Sequence, residues 1–304
     1  MIRLYSAVFG QVLKLFVFLL LGFVLTRKKI LPEQTPLAFS KFLIWMCIPA
    51  LSFKTFSANF TLDILRSSGA LFMLTAAMLA ASYLVGMLTG RFFSKDGYVR
   101  NVITYSVTVP NTGYFGNVLI IAVLGDLWQM KFQFFNFLLI IFSYTEGYRL
   151  MLGRRISLKS FINPMVIAML AGMAFGLLNI KVPDAAYDIL TSLVGCLGPV
   201  SMVSAGCVIA QYSLKKILTE KLVYITVFVR MIVMPLIAVG LRALGFIPAE
   251  LAMLLVMQQC LPTGLNSIVF PSSIGKDSSL GAGMVCVSSL LAVVTVPLFF
   301  SLVL

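Results

Sequence analysis

The stretch VTVPNTGYFG, residues 107–116, decides the fold of this chain, because it places Pro110, Asn111 and Gly113 inside an otherwise apolar segment. Proline lacks a backbone N–H and clashes with the preceding helical turn, and glycine weakens a helix further. Within a lipid bilayer each unpaired backbone group costs several kcal/mol, so an interruption there has to be compensated or used. The stretch therefore predicts a broken membrane helix whose free ends serve the function of the protein.

Composition predicts that the surrounding segments cross a membrane. Of the 304 residues, 60% are hydrophobic and 11% are charged, whereas soluble domains carry about 25% charged residues. We therefore expect an all-α polytopic membrane protein with about ten transmembrane helices in the lipid bilayer. The apolar segments of spanning length run near residues 5–26, 37–57, 69–92, 99–125, 132–151, 161–180, 186–210, 219–241, 249–274 and 279–303.

The formal net charge of +13 is explained by topology. If the loops are numbered along the chain, most lysines and arginines lie in the odd-numbered loops. The amino terminus and the even-numbered loops hold Arg3, Lys54, Arg66, Lys131, Lys181 and Arg242. By the positive-inside rule the odd loops are cytoplasmic, which predicts a cytoplasmic (inner) membrane protein with both termini on the outer side. The charge therefore does not indicate a nucleic-acid partner.

The sequence predicts no metal ion or other cofactor. It contains no histidine, which excludes a histidine-based triad, a histidine zinc site and a histidine proton relay. The five cysteines lie in apolar runs without the spacing of metal ligands, and we interpret them as packing residues.

A second interrupted stretch, QQCLPTGLNSIVFP at residues 258–271, carries Pro262, Gly264 and Asn266. Three pairs of landmarks are separated by about half of the chain: Pro49 and Pro199, Pro110 and Pro262, and Asp126 and Asp277. This offset predicts two five-helix repeats, residues 1–152 and 153–304. An odd number of spans inverts the second repeat, so the fourth and ninth helices are expected to be broken and to cross at the midplane.

The crossing is expected to bind an anion. The second half-helices begin near Thr112 and Thr263, and the free N–H groups of a helix N-terminus carry about half a positive charge. No acidic residue lies in either interruption, so an inorganic cation alone is a poor candidate for the substrate. Side chains and glycines at the two interruptions are the candidate substrate contacts: Asn111, Thr112, Gly113, Thr263, Gly264 and Asn266.

Two basic residues, Lys14 and Arg230, lie in the middle of predicted spans. A charge at this depth usually faces a cavity or a partner. Arg230 is a further candidate for substrate binding. The alternative for both residues is a structural role, either snorkelling to the membrane interface or pairing with a helix carbonyl. Glu146 and Arg149, three positions apart, are expected to form an ion pair.

Several motifs resemble those of the auxin efflux carrier family, whose bacterial members are described as organic-acid carriers. VPNTGYFG resembles the fourth-span motif, in which plant PIN-type carriers also have the Pro-Asn-Thr of residues 110–112. IPALSF resembles the second-span Pro-x-Leu-Ser-Phe, which here includes Pro49 and Ser52. LPTGLNSIVF resembles the ninth-span Leu-Pro-x-Gly, residues 261–264.

The resemblance covers essentially the whole chain and implies more than the motifs do. It implies two inverted five-helix repeats, carboxylate binding at the crossing, and an elevator-like movement of a transport domain against a scaffold. It also implies a homodimer formed through scaffold helices. By the same resemblance Asn111 and Ser52 are substrate contacts, and Pro110 and Pro262 define the crossing.

The preferred hypothesis is a secondary transporter of small organic anions, such as mono- or dicarboxylates or auxin-like acids. The chain has no nucleotide-binding motif, so a gradient is expected to drive transport. An anion channel is an alternative, because broken helices can surround a pore. A membrane-embedded enzyme is disfavoured, because nearly all of the ten acidic residues lie in predicted loops.

Overall fold

The computed structural model describes residues 2–153 and 164–302, and every regular element in these two ranges is helical. The segment that joins the two predicted repeats, with Arg154, Arg155 and Lys159, lies outside the described residues. In chain order the α-helices are α1 (Ile2–Arg27), α2 (Thr35–Phe42), α3 (Ile48–Asn59), α4 (Leu62–Phe93), α5 (Gly97–Thr108), α6 (Asn117–Leu124), α7 (Asp126–Phe135), α8 (Phe137–Tyr144), α9 (Glu146–Leu152), α10 (Pro164–Leu177), α11 (Asp184–Ala210), α12 (Leu214–Thr219), α13 (Lys221–Phe228), α14 (Met234–Ala243), α15 (Ala249–Gln259), α16 (Asn266–Ser272) and α17 (Ser279–Ser301). Single π-helical turns occupy Leu43–Cys47, Thr112–Gly116 and Val229–Val233.

The protein is a multi-pass membrane protein. Within the described ranges, 6 helical stretches are long and apolar enough to cross a membrane, and Thr112–Leu124 and Pro164–Leu177 are shorter apolar helices. The long stretches are Tyr5–Arg27, Thr35–Asn59, Gly69–Phe93, Asp184–Ala210, Lys221–Ala243 and Ser279–Ser301. The arrangement of ten spans in two inverted repeats stays a prediction.

The segment predicted as one span at residues 132–151 differs in the structure, where it is divided among α7, α8 and α9. Asn136 and Thr145 separate these helices. The Asn136 amide donates to the Phe132 carbonyl (2.7 Å), and the Thr145 hydroxyl donates to the Ile141 carbonyl (2.7 Å). Side chains that bond the carbonyl of the preceding turn compete with the helical N–H and bend or interrupt a helix.

Glycines allow two pairs of helices to approach closely. A Cβ on Gly22 of α1 would lie 2.1 Å from the Val203 carbonyl oxygen of α11, and Gly206 of α11 packs equally closely on α1. Helices α3 and α10 meet in the same manner through Gly172 and Gly176. Small residues are the usual basis of helix packing in membranes, where close backbone contact replaces the hydrophobic effect.

The ion pair predicted between Glu146 and Arg149 is confirmed. The Arg149 side chain donates to both carboxylate oxygens of Glu146 (2.5 and 2.7 Å), and the Tyr83 hydroxyl donates to the same carboxylate (2.9 Å). These contacts join the end of the first predicted repeat to α4.

The placement of Lys54 in a loop was wrong. Lys54 lies inside α3, is 7% exposed, and donates to both carboxylate oxygens of Asp126 (3.1 and 3.2 Å). Its ammonium group also lies 5.1 Å from the centre of the Tyr187 ring. Helix α3 continues beyond the apolar run because the carboxylate and the ring compensate the buried charge.

Candidate functional site

The two interrupted segments lie in direct contact. Pro110 and Thr263 form an isolated antiparallel β-bridge. The Asn111 N–H donates to the Pro262 carbonyl (2.8 Å) across this contact. Each interruption therefore satisfies backbone groups that the other leaves unpaired, as burial in a membrane protein requires.

Gly264 makes the second backbone contact of the bridge. Its N–H donates to the Val109 carbonyl (3.1 Å). A Cβ at this position would lie 3.0 Å from the same oxygen and 3.3 Å from the Pro110 carbonyl oxygen. A glycine at position 264 therefore lets the two segments come this close without displacing either backbone.

A cavity of about 410 Å³ lies beside the bridge, between the interrupted segments, α7, α8, α10 and the π-turn Leu43–Cys47. We call it the central cavity. Most of the predicted contacts line it: Asn111, Thr112, Gly113, Gly264 and Asn266. None of the lining residues carries a charge, and Trp45, Ile48 and Ile140 supply apolar wall.

Backbone donors remain free at the central cavity. In the part of the chain that the structure describes, no acceptor bonds the N–H of Gly113, Leu265 or Asn266, and all three residues line the cavity. They belong to the first turns of the second half-helices, where the helix dipole is positive. The cavity therefore offers neutral donors with positive partial charge.

Asn111 has a divided role. Its Oδ1 accepts from the Tyr114 N–H (3.2 Å), which also establishes the orientation of the amide. Its Nδ2 has no acceptor among the described residues, and the side chain is 5% exposed. One end of the amide thus caps the half-helix, and the other end is available to a ligand.

A set of buried amides around the cavity was missed from the sequence. Gln129, Gln133 and Asn136 recur at i, i+4 and i+7 along α7 and its end, so they share one helix face, and the last two line the cavity. Gln129 donates to Asn117 (2.8 Å), and Asn117 donates to the Gly113 carbonyl (3.2 Å). The helical spacing of these amides within an apolar run was the sequence signal that could have identified them.

Ser52 lies behind the wall of the central cavity. It is fully buried and is not among the residues that line the cavity. Its hydroxyl donates to the Ile48 carbonyl (3.0 Å) and accepts from the Gln133 amide (3.2 Å). In this structure Ser52 therefore positions Gln133, which does line the cavity.

Thr263 is likewise placed away from the cavity, although it belongs to the bridge. The residue is fully buried, and its N–H donates to the Ser288 hydroxyl of α17 (3.1 Å). Its own hydroxyl has no hydrogen-bond partner among the described residues. The Thr263 side chain therefore does not line the central cavity.

The sequence left open whether Arg230 binds substrate or has a structural role, and in this structure its contacts are structural. It is fully buried, it does not line the central cavity, and its guanidinium donates to oxygens at the ends of α5 and α15. The acceptors are the carbonyls of Val107 (3.0 Å), Gln258 (2.9 Å) and Leu261 (3.3 Å) and Oε1 of Gln259 (3.0 Å). Helix C-termini present unpaired carbonyls and a negative partial charge, which together compensate a buried cation.

A chain of amides nevertheless connects Arg230 with the central cavity. The Gln259 amide donates to the Gln258 side chain (2.8 Å), which donates to Oδ1 of Asn136 on the cavity wall (2.7 Å). Within the described ranges no three Cys, Asp or Glu side chains gather as metal ligands. The site is thus built from amides and backbone groups.

The chain matches a known protein family. A family model described as a membrane transport protein matches the chain twice, over residues 7–158 and 154–300. A search of curated proteins finds no match.

Proposed function

Since this chain belongs to the auxin efflux carrier family of membrane transport proteins, we propose that it is a secondary transporter of small organic anions. The substrates are mono- or dicarboxylates or auxin-like acids. The protein works in the cytoplasmic membrane with both termini on the outer side, an orientation supported by the basic residues of the odd-numbered loops.

The observation that carries this proposal is the set of free donors at the central cavity. The unbonded N–H groups of Gly113, Leu265 and Asn266 and the free Nδ2 of Asn111 all belong to residues lining the same space. Their partial charges favour a carboxylate, whereas the negative helix ends are covered by Arg230.

The size and polarity of the cavity support a small substrate with an apolar body. A volume of about 410 Å³ lies at the lower end of the range for small-molecule sites. The carboxylate would be held by neutral donors, and the apolar wall would contact the rest of the molecule. Binding without a full opposing charge suits a carrier, because the anion has to leave again after each cycle.

We propose an elevator-type cycle in which the interrupted helices move against a scaffold of α1, α3, α10 and α11. Two packing pairs support this division, because α1 packs on α11 and α3 packs on α10 through glycines. Two inverted repeats would produce the same pairing. In such repeats α10 corresponds to α1, and α11 corresponds to α2 together with α3, so the contact of α1 with α11 and the contact of α3 with α10 are equivalent. Family resemblance further suggests that two copies assemble through these scaffold helices.

The proposal is tested with purified protein in proteoliposomes loaded with unlabelled carboxylate, by measuring uptake of the labelled compound. Asn111→Asp keeps the oxygen that caps the half-helix and replaces the free donor with a negative charge. A charge about 4 Å from a bound carboxylate costs about 4 kcal/mol at the effective dielectric near a protein surface, so counterflow should fall by at least about a hundredfold.

Asn179→Asp is the matched control, because Asn179 is exposed and distant in sequence from either interruption. It should exchange substrate as the wild type does. Undiminished counterflow in Asn111→Asp at wild-type stability would contradict the proposed site. Unitary currents in place of saturable counterflow would favour the anion channel.

A further inference from the structure

A second cavity lies along α6. It has a volume of about 520 Å³, is bordered by α1, α3, α6 and α11, and is open on the side where Lys14 and Thr191 are exposed. Its polar wall consists of Gln11, Lys14, Lys54, Asp126 and Thr191, and we call it the lysine cavity.

The lysine cavity and the central cavity are separate spaces on one helix. Asn117 lines the central cavity, and the next residue, Val118, lines the lysine cavity. Val118 packs on Gly198 of α11, where a Cβ would lie 2.9 Å from the valine Cγ1. From Val118 the lysine cavity extends to Gly125, seven residues further, which is about 10 Å along a helix.

The charges that line this cavity do not balance. Lys54 is paired with Asp126 at 3.1 Å. Lys14 is exposed at the open side of the cavity and has no ion pair or hydrogen bond among the described residues, although it lies in a stretch with a mean hydropathy of 2.4. Two cations thus face one carboxylate, and an uncompensated charge within a membrane span is costly.

Gln11 adds a neutral donor beside Lys14. The two residues are three positions apart on α1, so their side chains lie on the same face of the helix. The Gln11 amide also has no hydrogen-bond partner in the described ranges. A carboxylate in the cavity would meet an unpaired ammonium group and an unpaired amide together.

We propose that the lysine cavity is a second binding site for a small organic anion, whose carboxylate pairs with Lys14 and accepts a hydrogen bond from Gln11. This inference rests on the proposed transport function and deepens it. The central cavity borders the first residue of α6 and the lysine cavity borders the rest of it, and in the proposed cycle the anion occupies the lysine cavity before or after the central cavity. Lys54 stays paired with Asp126 and contributes its field rather than a direct contact.

The experiment uses trifluoroacetate as the carboxylate probe and follows its ¹⁹F relaxation on the full chain in phosphatidylcholine nanodiscs. Wild-type protein should show two binding components. Lys14→Gln should weaken one component by about tenfold or more, the typical effect of losing a charged hydrogen-bond donor. Lys14→Arg should restore it, and Lys28→Gln, which removes one charge outside the cavity, should leave both components unchanged.

Asn111→Asp separates this proposal from the proposed function, because it should remove only the component that Lys14→Gln leaves intact. If Asn111→Asp removes nothing and Lys14→Gln still removes one component, the central site fails and the lysine cavity stands. A wild-type isotherm for Lys14→Gln overturns the second site.

An anionic lipid headgroup would also pair with Lys14, and it is distinguished by comparing nanodiscs of zwitterionic phosphatidylcholine with nanodiscs that also contain phosphatidylglycerol. If Lys14 determines phosphatidylglycerol retention and leaves trifluoroacetate binding unaffected, the cavity binds a lipid headgroup and the proposal is overturned. If Lys14→Gln loses one trifluoroacetate-binding component in nanodiscs made only of phosphatidylcholine, the proposal is supported.

Discussion

Replacing Arg230 with methionine tests whether this residue holds the two interruptions together. The side chain lies inside the protein and donates to the ends of two different half-helices, α5 and α15. Methionine keeps an unbranched chain of similar length but has no donor. The carbonyls of Val107, Gln258 and Leu261 and the side chain of Gln259 would then lose the bonds that Arg230 supplies.

The expected loss of stability follows from these contacts. Three of the four distances are 2.9 or 3.0 Å and the fourth is 3.3 Å. A hydrogen bond to a charged group contributes about 1.5–3 kcal/mol, and removing the cation also removes its desolvation penalty. We expect the free energy of unfolding to fall by about 3–5 kcal/mol. For a chain of 304 residues this corresponds to a decrease in Tm of about 5–8 °C.

The assay is thermal unfolding in detergent, followed by tryptophan emission. Arg242→Met is the matched control, because Arg242 lies at the end of α14 and has no ion pair among the described residues. Its loss should cost less than about 1 kcal/mol, the usual contribution of a cation at a helix C-terminus. Arg230→Lys should be intermediate, since it keeps the charge and loses the planar set of donors.

The opposite result would refute this reasoning. If Arg230→Met unfolds at the wild-type temperature while carboxylate affinity falls more than about tenfold, Arg230 is a ligand-binding residue in another conformation. The structural role assigned to it would then be wrong.

Two further substitutions test local features. Gly264→Ala should lower the free energy of unfolding by about 1–3 kcal/mol, because its Cβ meets the backbone of residues 109 and 110. Gly240→Ala is the control and should be neutral or stabilising, because a Cβ there meets nothing within 4 Å. Equal Tm values for both variants would contradict the close approach at Gly264. The Ser279 N–H, with Lys216 nearby, holds the pKa of Asp277 below its usual range, so this carboxylate stabilises the protein above the unfolded pKa and the stabilisation is lost as the pH falls through the lowered folded pKa. The Tm advantage of wild type over Asp277→Asn should therefore be present at about pH 7 and should shrink as the pH falls below about 3.9, the pKa of an unfolded aspartate. A Tm difference that is independent of pH would contradict this prediction.

The broken helices were predictable because proline and glycine act on their own backbone. Pro110 and Pro262 interrupt their helices for a local reason, and the repeat of landmarks indicated that the two interruptions belong together. The helical content and the ion pair between Glu146 and Arg149 followed equally from local spacing.

The side-chain roles at the site were less predictable. Ser52 and Thr263 belong to the expected segments, yet they bond Gln133 and Ser288 behind the cavity wall. The direction of a side chain depends on the rotation of its helix against its neighbours. That rotation is set by close contacts between helices distant in sequence, such as Gly206 of α11 against α1.

By itself, the sequence determined that this is a membrane protein and where its helices break, because apolar length, charge and proline act through the chain's own backbone and its transfer into lipid. Only the tertiary structure decided which polar groups face a ligand and which ones satisfy each other. Arg230 and Lys14 are both cations within apolar helices, and one is enclosed by carbonyls while the other is left at a cavity. The difference arises from packing partners far away in the chain, which compensate one charge and not the other.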